Sequence, residues 1–146
     1  QRREGYDRTC RVIDTENVGY SYGKDVCVKE RYWSMDGVRK AVEYFLRQNL
    51  KVVLVYKRDQ VLQVRDIGSP DVSYVKAVGS TDDIFVLKEA KKRNCPWVSL
   101  DNFREWKTDP RLSGELKEWV NAAAPRIQVR WAWSSGDFEP DLDLLP

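Results

Sequence analysis

Acidic residues occur at three places where predicted β-strands end or a predicted helix begins. Asp14 ends the apolar stretch RVID, Asp101 follows the apolar stretch PWVSL, and Asp82 and Asp83 open a predicted helix. In an open parallel sheet the ligand site lies outside the carboxyl ends of the strands, so these acids are expected to converge. Converging carboxylates repel one another, and a cation is the usual reason to collect them; hard oxygen ligands suit Mg²⁺ or Mn²⁺. The pattern therefore predicts a divalent metal site.

Each of these acids also has an ordinary structural explanation. Asp14 and the nearby Asn17 are residue types that favour solvated turns. The two acids at the helix start complement the helix dipole. Asp101 is a plausible helix cap, and Glu105 lies one helical turn further on, where an exposed side chain needs no function. The convergence of three distant segments, rather than any single acid, favours the metal site.

Basic and aromatic residues close to the same predicted edge are candidates for substrate contact. Lys57 and Arg58 directly follow the strand VVLVY, and Arg104 lies between two of the acids. These cations are placed to contact phosphates, although a solvated strand end or an ion pair with a neighbouring acid explains them equally well. Tyr22 belongs to an aromatic-containing segment after the first strand and is a further candidate.

Composition limits the chemistry that this chain can perform. The 146 residues carry a net charge of +2, include three cysteines without CxxC spacing, and contain no histidine. Ser-His-Asp and Cys-His catalysis are therefore excluded within this chain, and a zinc site is disfavoured. Free thiols suggest a reducing compartment, the cytoplasm or the nucleus, and no apolar run approaches the ~20 residues of a membrane helix. Because the chain starts with Gln1, we expect further domains of a longer parent protein.

Strand and helix patterns alternate along most of the chain, which predicts an α/β domain with a central, mostly parallel sheet. Val38, Ala41, Val42 and Phe45 form the apolar stripe of a helix capped by Ser34. Strands are predicted at residues 10–14, 52–56, 74–78, 97–100 and 127–133. Helices are predicted at 35–48, from 80 or 81 to 93, at 102–106 and from about 116 to a stop at Pro125. Irregular structure is predicted for a flexible lead-in at 1–9, a loop at 15–34 and the acidic tail, and 57–72 are ambiguous between helix and strand. Residues 10–146 are predicted to form a single domain.

Taken together, these stretches resemble a known family. In order they are RVIDTENVG, MDGVRKAVEYFLRQN, KVVLVYKR, STDDIFVLKEA and VSLDNFREW. Their order and spacing resemble the NYN domain of the PIN-like nuclease superfamily, and in particular the Regnase (MCP-induced protein) type. The likeness covers roughly residues 10–146, and each motif is weak by itself.

The resemblance implies a PIN-like (Rossmann-like) three-layer fold and a metal-dependent endoribonuclease that cleaves single-stranded or loop RNA with a metal-activated water. The implied ligands of Mg²⁺ or Mn²⁺ are Asp14, Asp83 and Asp101. Asp82 and Glu105 would complete the acidic pocket, and Asn17 would support it. RNA is the expected partner, and a homodimer is left open.

Two departures from the family pattern keep a second function open. Glu16 replaces a small residue beside the first aspartate, and Glu105 stands where the family often has aspartate. A nuclease-like domain that binds RNA or a protein without cutting is therefore the alternative. A nucleotide-binding or phosphatase domain is less well supported, because no glycine-rich phosphate loop is present.

Overall fold

The computed structural model describes residues 5–27, 32–67, 69–78, 82–102 and 108–141, and only the backbone of residues 63, 65–67 and 82. The strands are β1 (Cys10–Asp14), β2 (Lys51–Tyr56), β3 (Val72–Lys76), β4 (Trp97–Val98), β5 (Gln128–Val129), β6 (Trp131–Ser134) and β7 (Asp137–Pro140). The helices are α1 (Thr15–Asp25), α2 (Met35–Arg47), α3 (Asp82–Arg93) and α4 (Gly114–Ile127), with a 3-10 helix at Asp59–Ile67. None of the helices in these described ranges is long and apolar enough to cross a membrane.

Five of the strands form one parallel sheet in the order β3-β2-β1-β4-β5. β1 lies at the centre, with Asp14 beside Val55 of β2 and Ile13 beside Val98 of β4. Because all five strands run the same way, their carboxyl ends share one edge of the sheet. β6 and β7 form a separate antiparallel hairpin.

Helices cover both faces of the sheet, which explains why its central strands are apolar throughout. Val12, Val53 and Val55 pack against α3 and α4 on one face. Ile13 and Leu54 pack on the other face, in the cluster that contains α2 and the β6–β7 hairpin. Successive strand residues thus point to opposite faces, as the pleat requires. The prediction of an α/β three-layer domain with a parallel central sheet is confirmed.

The segment after β1 is a helix, and the predicted loop at 15–34 is wrong for its first part. The buried residues of α1 recur at helical spacing and are Thr15, Val18, Gly19, Tyr22 and Gly23. A Cβ atom at Gly19 would collide with the indole of Trp33, and one at Gly23 would collide with the carbonyl of Tyr32. These glycines therefore allow close packing, whereas in the sequence they resemble loop residues.

The C-terminal part of the chain also differs from prediction. α4 continues through Pro125 and ends at Ile127, so the predicted strand 127–133 is divided into the short strands β5 and β6. Proline removes one helical hydrogen bond, and here it lies close to the end of the helix, where the loss is small. Part of the tail that was predicted as irregular forms β7, and residues 142–146 lie outside the described residues.

Smaller differences concern the boundaries. The ambiguous segment 57–72 contains a 3-10 helix, and β3 begins two residues earlier than predicted. Residues 5–9, predicted as part of a flexible lead-in, contact two parts of the domain. Asp7 N donates to Asn94 O at the junction between α3 and β4, and the Tyr6 ring packs edge-on against Trp119 of α4. Of the predicted helical turn at 102–106, only residue 102 lies within the described part of the chain.

Candidate active site

Asp14 lies at the end of the central strand, and its side chain is buried, with 4% of the residue exposed. Its Oδ1 atom accepts a hydrogen bond of 3.1 Å from Asn17 N, so Asp14 is the N-cap of α1. Its Oδ2 atom lies 3.3 Å from the Ser99 hydroxyl, which follows β4 on the neighbouring strand. The side chain is therefore held from two sides at the carboxyl edge of the sheet.

Asn17 and Ser99 connect α1 to the segment that carries Asp101. Asn17 Oδ1 accepts a hydrogen bond of 2.6 Å from Leu100 N. Ser99 Oγ accepts one of 3.1 Å from Asp101 N. One hydroxyl oxygen thus contacts both Asp14 Oδ2 and Asp101 N, so the backbone of Asp101 lies close to the side chain of Asp14. Asn17 therefore holds α1 against the segment after β4, and its supporting role at a metal site stays a prediction.

Gln128 and Arg130 fix the same segment from its other side. Gln128 Nε2 donates bonds of 2.8 Å to the carbonyls of both Ser99 and Asp101. Arg130 Nη1 donates a bond of 2.7 Å to Leu100 O. Three successive carbonyl groups after β4 are therefore satisfied by side chains from β5 and the residue that follows it. Sequence reasoning missed Ser99, Gln128 and Arg130; the one local signal was a polar Gln next to two buried apolar positions.

At the start of α3, the described atoms show one side-chain bond of Asp83. Asp83 is half-buried, and its Oδ1 atom accepts a bond of 3.0 Å from the backbone of Ile84. Arg111 lies within electrostatic range of Asp83. Arg111 itself makes a two-pronged ion pair with Asp109, with Nη2 at 2.6 Å from Oδ2, and this pair lowers the pKa of Asp109 to about 2. The side chain of Asp82 is outside the described atoms.

Arg58 is the centre of an aromatic and charged cluster next to the acidic edge. Its Nη2 atom donates a bond of 2.6 Å to the Tyr20 hydroxyl, and its guanidinium lies 5.5 Å from the ring centroids of both Tyr20 and Trp33. Its Nε atom lies 3.3 Å from a carboxylate oxygen of Glu16. Glu16, the departure beside Asp14, thus orients Arg58. Both Arg58 and Tyr20 are partly exposed, so the pair can meet a substrate.

The other predicted substrate contacts fall in different places. Lys57 is exposed at the end of β2, as predicted. Tyr22 is buried, and its ring packs edge-on against Trp133, so its assignment to substrate contact is corrected to a core position. Tyr20, which lies two residues earlier on the exposed side of α1, is the aromatic residue of this helix that a substrate can reach. Arg104 and Glu105 lie outside the described residues.

Within the described ranges, no three His, Cys, Asp or Glu side chains are grouped so that they could hold a metal ion. The side chains that do meet at the edge are those of Asp14, Asn17 and Ser99, and each of them offers an oxygen atom. Oxygen donors are the kind that Mg²⁺ or Mn²⁺ binds, whereas zinc prefers cysteine and histidine.

The parallel sheet, the helices on both of its faces and the buried Asp14 at its carboxyl edge define an α/β three-layer domain. Among solved structures, the chain is similar to Arabidopsis thaliana nuclear protein-only RNase P 2 (PRORP2), with a TM-score of 0.62 and 18% sequence identity. The match covers 93% of this chain, which spans 30% of the length of that protein. No family model matches the sequence.

Proposed function

We propose that this chain is a metal-dependent endoribonuclease of the Regnase type that cleaves single-stranded or loop RNA. The observation that carries the proposal is the position of Asp14: a buried carboxylate at the carboxyl edge of a PIN-like sheet, bonded through Ser99 to the segment of Asp101. Burying a carboxylate is costly unless it is paired, hydrogen-bonded or used as a ligand. The similarity to a ribonuclease supports RNA as the substrate class.

In this proposal Asp14, Asp83 and Asp101 would hold Mg²⁺ or Mn²⁺. Such an ion, when bound, supplies a Lewis acid that stabilises the charge developing on phosphate oxygens and lowers the pKa of a bound water. The chain's own contribution is placement: the bonds from Ser99, Gln128 and Arg130 hold the Asp101 segment rigidly against Asp14. Rigid placement matters because misplaced ligands stabilise the transition state less well.

The reaction is hydrolysis of a phosphodiester. A water oxygen forms a bond to phosphorus while the bond from phosphorus to the 3′ oxygen breaks, and the 3′ oxygen takes up a proton. The products carry a 5′-phosphate and a 3′-hydroxyl. Asp82 and Glu105 remain the candidates to accept the proton of the water. Arg58 and Tyr20 lie beside the edge, where a guanidinium contacts phosphate and an aromatic ring stacks on a base.

Cleavage of a labelled single-stranded RNA in Mn²⁺ tests the proposal. Asp14→Asn and Asp101→Asn should each reduce the cleavage rate by about 100-fold or more, because each removes a charged ligand. Their melting temperatures should stay unchanged or rise, because repulsion between neighbouring carboxylates is relieved. Asp137→Asn on β7, whose side chain is 83% exposed, is the matched control and should cleave normally.

The termini of the products provide a second check on the same reaction. A 5′-phosphate is expected, whereas attack by the RNA's own 2′-hydroxyl would leave a cyclic phosphate and indicate a contaminating activity. A marked fall in melting temperature for both aspartate variants would make these acids structural instead.

The second candidate function is RNA or protein binding without cleavage. Two observations favour it. The described residues include no three-acid metal group, and Glu16 already forms an ion pair with Arg58. Absence of cleavage by the intact chain over a wide range of Mg²⁺ and Mn²⁺ concentrations, with RNA binding retained, would support this second function. The homodimer, the further domains and the cytoplasmic or nuclear location stay predictions from the sequence.

A further inference from the structure

A basic groove lies between α3 and the start of α4, away from the acidic edge. Its volume is about 400 Å³, and it is lined by Lys88, Lys91, Lys92, Arg111, Ser113, Glu115 and Leu116. Four cations and one carboxylate give this lining a net charge of +3, whereas the whole chain carries +2. Positive charge is therefore concentrated here. Leu116 is the only apolar residue among the described residues of the lining, so the groove suits a charged ligand better than an apolar one.

Two of the four cations are already engaged with acids. Lys91 Nζ lies 2.9 Å from Glu115, and Arg111 pairs with Asp109. Lys88 and Lys92 are exposed, and neither makes an ion pair with any acid in the described part of the chain. Positions four residues apart share one face of a helix, so Lys88 and Lys92 present two ammonium groups in line along α3.

The helix α3 runs from the acidic edge to the groove. Asp83 lies in the first turn of this helix, and its charge reaches Arg111 in the groove lining. At a rise of ~1.5 Å per residue, Lys88 lies about 8 Å and Lys92 about 14 Å from Asp83 along the helix axis. With ~3.4 Å per stacked nucleotide, these distances correspond to about two and four nucleotides of a single strand.

We propose that this groove binds the phosphates of the substrate RNA two to four nucleotides away from the cleaved bond, with Lys88 and Lys92 as the principal contacts. The inference rests on the proposed function, because it assumes that RNA enters at the acidic edge. The contacts are electrostatic and carry no base preference, since the described residues of the lining offer no aromatic ring for stacking. The groove gives affinity and register along the strand, and it takes no part in the chemical step.

The test uses the full chain and a fluorescent single-stranded RNA of about twelve nucleotides, long enough to span edge and groove. The double variant Lys88→Gln/Lys92→Gln should weaken RNA binding by about tenfold, measured in EDTA. It should also lower the slope of log affinity against log salt by about 1.4, because each lost phosphate contact on a single strand reduces that slope by ~0.7. Lys40→Gln/Arg47→Gln on α2 removes the same charge from the opposite face of the sheet and should have a markedly smaller effect.

Cleavage kinetics separate this proposal from the one on which it rests. The groove variant should raise KM for the long RNA and leave kcat unchanged. It should leave cleavage of a dinucleotide unchanged, because the single phosphodiester of a dinucleotide is the bond that is cleaved. If the intact chain binds and cleaves RNA but both double variants behave alike, the groove proposal is overturned and the nuclease proposal stands. If the intact chain neither binds nor cleaves RNA, both proposals fail.

Discussion

The ends of β1 and β4 and the start of α3 contribute to the same proposed site, but they are built differently. At the strand ends, Asp14 is buried and its carboxylate contacts both Asn17 and Ser99. The segment after β4 is further held by Gln128. At the start of α3, the Asp83 carboxylate accepts a bond from the backbone of Ile84, which is the next residue of the same helix.

This difference indicates how the site is assembled. The strand ends are joined by hydrogen bonds between segments that lie more than eighty residues apart, so folding itself places the Asp14 side chain beside the segment that leads to Asp101. Asp83 is placed by the packing of α3 on the sheet. This packing determines the position of the helix more closely than the position of the Asp83 side chain. We infer that the strand ends are preorganised and that Asp83 adjusts to whatever is bound.

Loss of Gln128 should damage the preorganised region most. Gln128→Leu keeps the volume but removes the donor to the carbonyl of Ser99. It also removes the shorter bond to the carbonyl of Asp101, where Arg130 Nη2 remains at 3.4 Å, and the two losses together should cost about 2–3 kcal/mol of unfolding free energy. Cleavage should fall about 10–100-fold, as expected for a residue that orients a ligand. Urea denaturation and initial rates measure the two effects. Gln60→Leu, at an exposed position, is the matched control, and equal behaviour of both variants would contradict the comparison.

Asn17→Ala should have a smaller effect in the same region. It removes the acceptor of Leu100 N, and one unsatisfied amide costs about 1–2 kcal/mol in unfolding free energy. Asp14 keeps its cap bond, because that bond comes from the backbone of residue 17. Thermal and urea unfolding provide the measurement, and Asn121→Ala on the exposed side of α4 is the control. A loss no greater than that of the control would show that the link from α1 to β4 adds no stability.

Asp83→Ala should change stability least. Its side chain satisfies one backbone group at a helix start, so the expected loss is about 1 kcal/mol or less. Cleavage should nevertheless decrease strongly if Asp83 binds the ion. A loss of stability as large as that of Gln128→Leu would show that the two regions are built alike.

Local patterns were enough to predict the parallel sheet, α2 and the position of Asp14. Continuous apolar runs such as VVLVY indicate strands that are covered on both faces, and the acid that ends such a run is visible in the sequence. α1 was missed because Gly19 and Gly23 resemble loop residues until Trp33 and Tyr32 are seen packing against them.

The hydrogen bonds around Asp101 could not be predicted in the same way. Ser99, Gln128 and Arg130 act together only after β4 and β5 pair, and no spacing in the sequence connects them. Tyr22 shows the opposite error, since an aromatic residue in a predicted loop proved to be a core residue of a helix.

Binding of Mn²⁺ to the intact chain, followed by calorimetry or electron paramagnetic resonance in the absence of RNA, tests the central claim most directly. We predict that the chain binds Mn²⁺, and that Asp14→Asn and Asp101→Asn each weaken this binding at least about tenfold while Asp137→Asn leaves it unchanged. Equal Mn²⁺ affinity in all four proteins, or no binding by the intact chain, would contradict the assignment of this edge as a metal site.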